Sequence, residues 1–171
     1  MFYLTDPISD EDVNKLKVGN IVSFSGNVYC GRDAVLPKIV DMYYEGSLEE
    51  KDIDLLGSII FHTAVSSAGI GATSSNKLEI ESSIAPLSEA GVKIHLGKGM
   101  LSQATIEALQ KNNSIFAIIP PVTALLQSKI EATEVIAFPE EGMEAFHRLQ
   151  INDLRMIIAV AHGESIYGEN K

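Results

Sequence analysis

The chain has 171 residues, 46% of them apolar, and a formal net charge of −10. That length suits one domain spanning 1–171, large enough to bury roughly 70% of its unfolded surface without disulfides or a structural metal. The apolar fraction excludes a disordered or fibrous chain, and the negative balance turns it away from nucleic acid and anionic membranes, which repel it.

Cys30 is the only cysteine. It makes no internal disulfide, which suits a reducing compartment, and one thiol is too few for an iron–sulfur cluster, which needs three or four. The acidic stretch 5–12 has no basic segment leading into an apolar one, so no signal peptide is expected. The longest apolar run, 115–126, is short of the ~20 residues a bilayer needs and contains Pro120-Pro121. A soluble, cytoplasmic protein is expected.

After a loose lead, Ser9 and Asp12 have capping-box spacing, with Asp where Glu is usual, and open a helix to about residue 17. A strand over 21–24 and an extended pair at 28–29 follow. Gly31-Arg32-Asp33 forms a turn in which Asp33 is the expected N-cap of a helix over 34–44, with Pro37 in its first turn and Gly46 at its end. The β-branched run 57–62 reads as a buried strand. Residues 63–77 are small and hydroxyl side chains and read as one long functional loop.

A helix over 79–90, kinked at Pro86, leads to a strand over 92–96 and the tight turn Gly97-Lys98-Gly99. Ser102 caps a helix through Lys111, and 115–119 is a strand. Pro120-Pro121 leads into a helix over 122–130. Three short strands, 134–138, 149–151 and 156–160, precede a polar, frayed end over 163–171. Strand and helix alternate through the middle, which predicts an α/β fold with a largely parallel sheet. The extra strands at each end suggest a second sheet layer.

Arg32 lies between a strand and a helix N-terminus, where backbone N–H groups and the helix dipole favour anions. There it can grip a carboxylate with two parallel hydrogen bonds or pair with Asp33 or another nearby acid. Lys98, between two glycines after a strand, lies where open α/β sheets bind ligands. The segment 66–77 offers hydroxyls and amides, but it has no Walker pattern and no complete dinucleotide fingerprint. His62 and His95 read as near-core histidines, His147 and His162 as structural or exposed, and no histidine pair has metal-ligand spacing. Cys30 reads as a buried, inert thiol. These residues point to a small anion held by Arg32, Lys98 and the hydroxyl segment, without naming a reaction.

Several pieces in order resemble a known family. They are 18–26, running into Tyr29-Cys30-Gly31-Arg32-Asp33-Ala34; then Gly71-Ala72-Thr73-Ser74-Ser75 and Gly97-Lys98-Gly99. Ala124-Leu125-Leu126, Glu134-Val135-Ile136-Ala137-Phe138 and Glu144-Ala145-Phe146-His147-Arg148-Leu149 complete the set. The chain is similar to the β-subunit, or C-terminal-type domain, of iron–sulfur class I fumarate hydratases and L-tartrate dehydratases. The resemblance implies a three-layer, swivelling β/β/α domain with a largely parallel central sheet. It implies a hydro-lyase that interconverts (S)-malate and fumarate only together with an α-subunit, as in the tricarboxylic acid cycle.

The implied cofactor is a four-iron, four-sulfur cluster held by the α-subunit, whose open iron acts as a Lewis acid. Arg32 and Lys98 match residues that bind the dicarboxylate, and Thr73 matches the base that removes the C3 proton. Lys77 is a further substrate-binding position where the family usually has arginine; it keeps the charge and loses the two-pronged grip. His62-Thr63-Ala64-Val65 replaces a usual Gly-Pro turn, and Pro120-Pro121 a small-residue pair. These departures leave open an L-tartrate dehydratase β-subunit or a non-catalytic anion-binding paralogue, and leave open which of Thr73, Ser74 and Ser75 faces the substrate. The implied assembly is a hetero-oligomer through an exposed apolar face, or a homodimer when isolated, without nucleic acid or membrane.

Overall fold

A computed structural model of the chain describes residues 1–66, 69–73, 77–119 and 128–168, with side chains at all of these except 66, 69–73 and 77–80. Four strands run parallel in the order β2 (Ile21–Cys30), β3 (Ile59–Phe61), β6 (Ile94–Gly97) and β7 (Ile115–Ile118). The long strand β9 (Phe146–Ala161) pairs antiparallel with β7 and also with β2, so the ladder closes on itself. β1 (Phe2–Thr5) adds a parallel edge to β2, while β8 (Ile130–Ala137) and β10 (Glu164–Ser165) pair antiparallel with β9. The fold is thus α/β with mostly parallel strands, as expected. The β4 (Thr63–Ser66) and β5 (Gly69–Thr73) pair forms a separate two-stranded sheet.

Alternation decides which residues fill the closed sheet. Val22, Phe24, Val28 and Cys30 of β2, Ile59 and Phe61 of β3, and Ile94 and Leu96 of β6 point inward and form one core. Val13 and Leu16, from and just after the helix α1 (Asp10–Lys15), join that same core. The opposite faces of the strands pack under helices. Tyr29, Ile60 and Phe146 meet Leu36 and Ile39 of α2 (Leu36–Glu45). Phe116 and Ala159 meet Ile84 of α3 (Lys77–Glu89) and Ile106 and Leu109 of α4 (Gln103–Lys111). Each fully buried Phe, Leu or Ile contributes about 1.5–3 kcal/mol.

Several expectations hold. Ser9 and Asp12 form a reciprocal capping box, and Ser102 accepts from the Thr105 amide at the start of α4. Other readings are corrected. Asp33 is not the N-cap of α2: the helix begins at Leu36 with Val35 at the cap. A start at residue 34 would have required Pro37 to donate to the backbone, which it cannot; starting at 36 leaves Pro37 among positions that need no donor.

The segment 63–77 is not a structureless loop, because Thr63–Ser66 and Gly69–Thr73 form the β4–β5 hairpin. The small-residue composition hid a buried strand, in which Thr63, Ala64 and Val65 are all shielded from solvent. The two strands expected over 149–151 and 156–160 are one strand, β9. Asn152 and Asp153 oppose the single Ser25 as a bulge, with Asp153 at φ 55. The chain start is not a loose lead, since Phe2–Thr5 is a strand, and Glu164–Ser165 is paired rather than frayed. β8 begins at Ile130, four residues before the expected 134. Pro120-Pro121 and residues 122–127 of the expected helix lie outside the described residues. Among the described residues, no helix is long and apolar enough to cross a membrane.

Candidate functional site

The parallel strands end together. Cys30, Phe61 and Leu96 are mutual register partners in β2, β3 and β6. The ladder continues one step further, with Gly31 N–H donating to Phe61 O at 3.1 Å and His62 N–H to Leu96 O at 2.9 Å. The next residues of the three chains are Arg32, Thr63 and Lys98. They leave the carboxyl ends of three adjacent parallel strands, the edge where open α/β sheets bind ligands.

Each has a distinct setting. The carbonyl of Arg32 accepts from Val35 and Leu36 N–H at 3.0 and 2.9 Å, which fixes the turn into α2. Its half-buried side chain donates from Nε to Glu144 Oε1 at 2.6 Å, and Nη2 pairs with the same oxygen. That hydrogen bond raises the guanidinium's pKa further, so it stays charged. The alternative of an acid partner is therefore realised, with Glu144. Lys98 is exposed and is followed by Gly99 at φ 90, a conformation that suits glycine. Thr63 is buried, and its hydroxyl donates to Ala64 O at 3.2 Å.

Thr73 is the last residue of β5 and is the register partner of Thr63. The hairpin thus folds the backbone of Thr73 back beside the strand ends. Gly57 N–H, just before β3, donates to Gly91 O just after α3, so α3 runs back toward the amino ends of the strands. Its first residue, Lys77, is consequently at the carboxyl edge. The side chains of Thr73 and Lys77, and residues 74–76, lie outside the described set.

One buried array behind the strand ends was not legible in the sequence. His62 Nε2 is 3.1 Å from His95 Nδ1, and His95 Nε2 is 2.9 Å from Ser88 Oγ of α3. Both rings are fully buried, and His62 Nδ1 has no hydrogen-bond partner among the described residues. Burial pushes the His62 pKa down to about 4, and burial with the neighbouring ring pushes His95 well below the usual range. Two histidines 33 apart in sequence give no local signal; only the β3–β6 register brings them together. His147 and His162 are structural, bonded to the carbonyls of Ala145 and Leu16.

The residues present do not fit an iron–sulfur cluster. Cys30 is fully buried, and burial pushes its thiol pKa up, away from the thiolate a metal requires. Among the described residues no group of three or more His, Cys, Asp or Glu side chains is placed to hold a metal ion. A depression of about 630 Å³ lies elsewhere, against α2 and the turn Leu48–Lys51. Glu49, Asp52 and Asp54 line it with no cation, which does not suit an anion.

Comparison with known proteins identifies the family. The family model described as Fumarase C-terminus matches residues 2–170. A protein of Methanocaldococcus jannaschii named as an L(+)-tartrate dehydratase subunit beta is 30% identical, over 99% of this chain and 92% of that protein. The L(+)-tartrate dehydratase subunit beta of Escherichia coli K12 is 26% identical, over 98% and 87%. A protein of Geobacillus stearothermophilus named as a class I fumarate hydratase is 28% identical over 96% of this chain, which spans only 33% of that protein. The match along nearly the whole chain places this protein in the fumarase C-terminus family.

Proposed function

We propose that this chain is the β-subunit of an iron–sulfur hydro-lyase that interconverts (S)-malate and fumarate together with a cluster-bearing α-subunit. The observation that carries the reading is the meeting of Arg32, Lys98 and the β4–β5 hairpin at one edge of the parallel strands. A dicarboxylate needs two cationic grips, and an acidic chain must concentrate them locally. Arg32 and Lys98 bind the substrate carboxylates, with Lys77 at the start of α3 as a third cation. Thr73 accepts the C3 proton; adjacent cations stabilise its alkoxide, without which a threonine is too weak a base.

The four-iron, four-sulfur cluster belongs to the α-subunit in this reading, since Cys30 cannot supply it. When bound there, it provides the Lewis acidity that helps the substrate hydroxyl leave. The family's three-layer swivelling arrangement lets this domain, 1–171, turn as a body to close over the substrate. The assembly is cytoplasmic and hetero-oligomeric.

A second reading within the same class is an L-tartrate dehydratase β-subunit, favoured by the two relatives of that name whose own lengths this chain nearly spans. Co-expression with the α-subunit under anaerobic conditions separates them. Fumarate formation from malate is the expected result. Oxaloacetate formation from tartrate far above malate turnover would replace malate with tartrate. A stable complex that acts on neither acid would leave a non-catalytic anion-binding paralogue.

A further inference from the structure

We infer that Glu144 is a positioning residue whose carboxylate holds the Arg32 guanidinium ready for an incoming carboxylate; the inference rests on the proposed reading of Arg32 as substrate-binding. The backbone of Arg32 is already fixed, by the Gly31 N–H bond to Phe61 O and by the two helix-start bonds to its own carbonyl. Glu144 adds a hold on the long side chain. One carboxylate oxygen takes both Nε–H, at 2.6 Å, and Nη2. Two N–H groups on one edge of a planar fork fix its plane, which sets the direction a second carboxylate must take.

Glu144 does little for its own segment. It ends the 3-10 turn Pro139–Glu144, which is closed by Ala145 N–H donating to Gly142 O at 3.0 Å. The turn is anchored to α2 by a different acid, Glu141, which Lys38 Nζ meets at 3.1 Å. Glu144 Oε2 is buried and accepts no hydrogen bond among the described residues. A carboxylate that served the turn would accept from backbone N–H groups; this one is committed to Arg32. The same turn packs against β4, whose Thr63 pairs with Thr73. Glu144 therefore ties the arginine to the hairpin that carries the proposed base.

A carboxylate beside Arg32 also weakens its pull on an anion. Positioning and competition therefore predict opposite signs for the loss of Glu144. The test uses Glu144→Ala, Glu144→Gln, Arg32→Ala and the double variant. In the full chain, solvent exchange of the Arg32 Nε–H is followed by 15N NMR, with Arg32→Ala assigning the signal. Exchange should quicken roughly tenfold or more in Glu144→Ala, as expected for loss of a charge-assisted hydrogen bond, and less in Glu144→Gln, whose amide oxygen still accepts. An unchanged signal overturns the inference whatever the reaction.

In the complex with the α-subunit, Glu144→Ala should raise KM by roughly tenfold with a smaller effect on kcat. The double variant should be no worse than Arg32→Ala, because Glu144 acts through the arginine. An unchanged or lowered KM, or additive effects, overturns it in favour of an independent or competing carboxylate. An Arg32→Ala complex as active as wild type, beside the quickened exchange, sinks the substrate-binding reading of Arg32 and with it the positioning role.

Discussion

His62, one residue past β3, and His95 of the neighbouring parallel strand β6 bring Nε2 and Nδ1 within 3.1 Å of each other inside a fully buried site. Ser88 extends the row from α3, and His62 Nδ1 ends it with no partner among the described residues. Charging one ring keeps these hydrogen bonds but places an uncompensated charge in a fully buried site, and charging both leaves no acceptor between the rings. The row lies directly behind Thr63, where the chain leaves β3 for the hairpin.

Acid should therefore destabilise the fold before the carboxylates titrate. The folded pKa of His62 is lowered to about 4 against an ordinary value near 6.5. Unfolding takes up a proton throughout that interval, so the stability present above pH 6.5 is lost as pH falls toward 4. The loss is about 3 kcal/mol for His62 alone. Urea melts at steps from pH 7.5 to 5 should show the slope, and His62→Gln should flatten it. A midpoint that does not move between pH 7 and 5 would sink the assignment.

Arg32→Ala should lower kcat/KM of the reconstituted complex by roughly 10²–10⁴-fold, the effect of leaving a buried substrate carboxylate unpaired at a cost of about 3–5 kcal/mol. Lys98→Ala should act in the same direction through KM. A wild-type rate in Arg32→Ala, measured by fumarate absorbance, would remove it from the site.

Thr73→Ala should cut kcat by roughly 10²–10⁴-fold, the usual worth of a positioned base, while Thr73→Ser should retain part of it. Ser74→Ala and Ser75→Ala serve as controls. A greater loss from either than from Thr73→Ala would transfer the role to that hydroxyl.

Gly26→Ala should destabilise the fold by roughly 2–4 kcal/mol. Gly26 has φ 145, and a Cβ there would run into Asp6 Oδ1, which accepts from Asn27 N–H at 3.1 Å. Gly46→Ala is the comparison: φ is 73 but nothing lies within 4 Å, so strain alone should cost about 1–2 kcal/mol. Equal melting temperatures for the two variants would refute the clash.

Local physics made much of the fold legible. The Ser9–Asp12 box, the Ser102 cap and the apolar runs of β3, β6 and β7 are set by neighbours a few residues apart, so composition and spacing suffice to read them. Where the structure departs, a distant partner decides. Asn152-Asp153 reads as a break, yet Ser25 on β2 accepts from the Asp153 amide at 3.0 Å and donates to Asn152 at 3.2 Å, which carries β9 through as a bulge. The hairpin 63–73 reads as a loop because small residues carry little hydrophobic signal, whereas the pairing of Thr63 with Thr73 supplies it.

The sequence by itself determined the class of the protein, the parallel core and the cations at the ends of the strands, because an ordered set of short motifs and an alternating pattern are local properties. Only the tertiary structure decided that Arg32 is held by Glu144, 112 residues away, and that His62 and His95 share one buried row. The reason is physical. A lone arginine or histidine in a sequence has no fixed environment, and its charge, direction and proton are set by whichever groups the closed sheet brings within 3 Å of it.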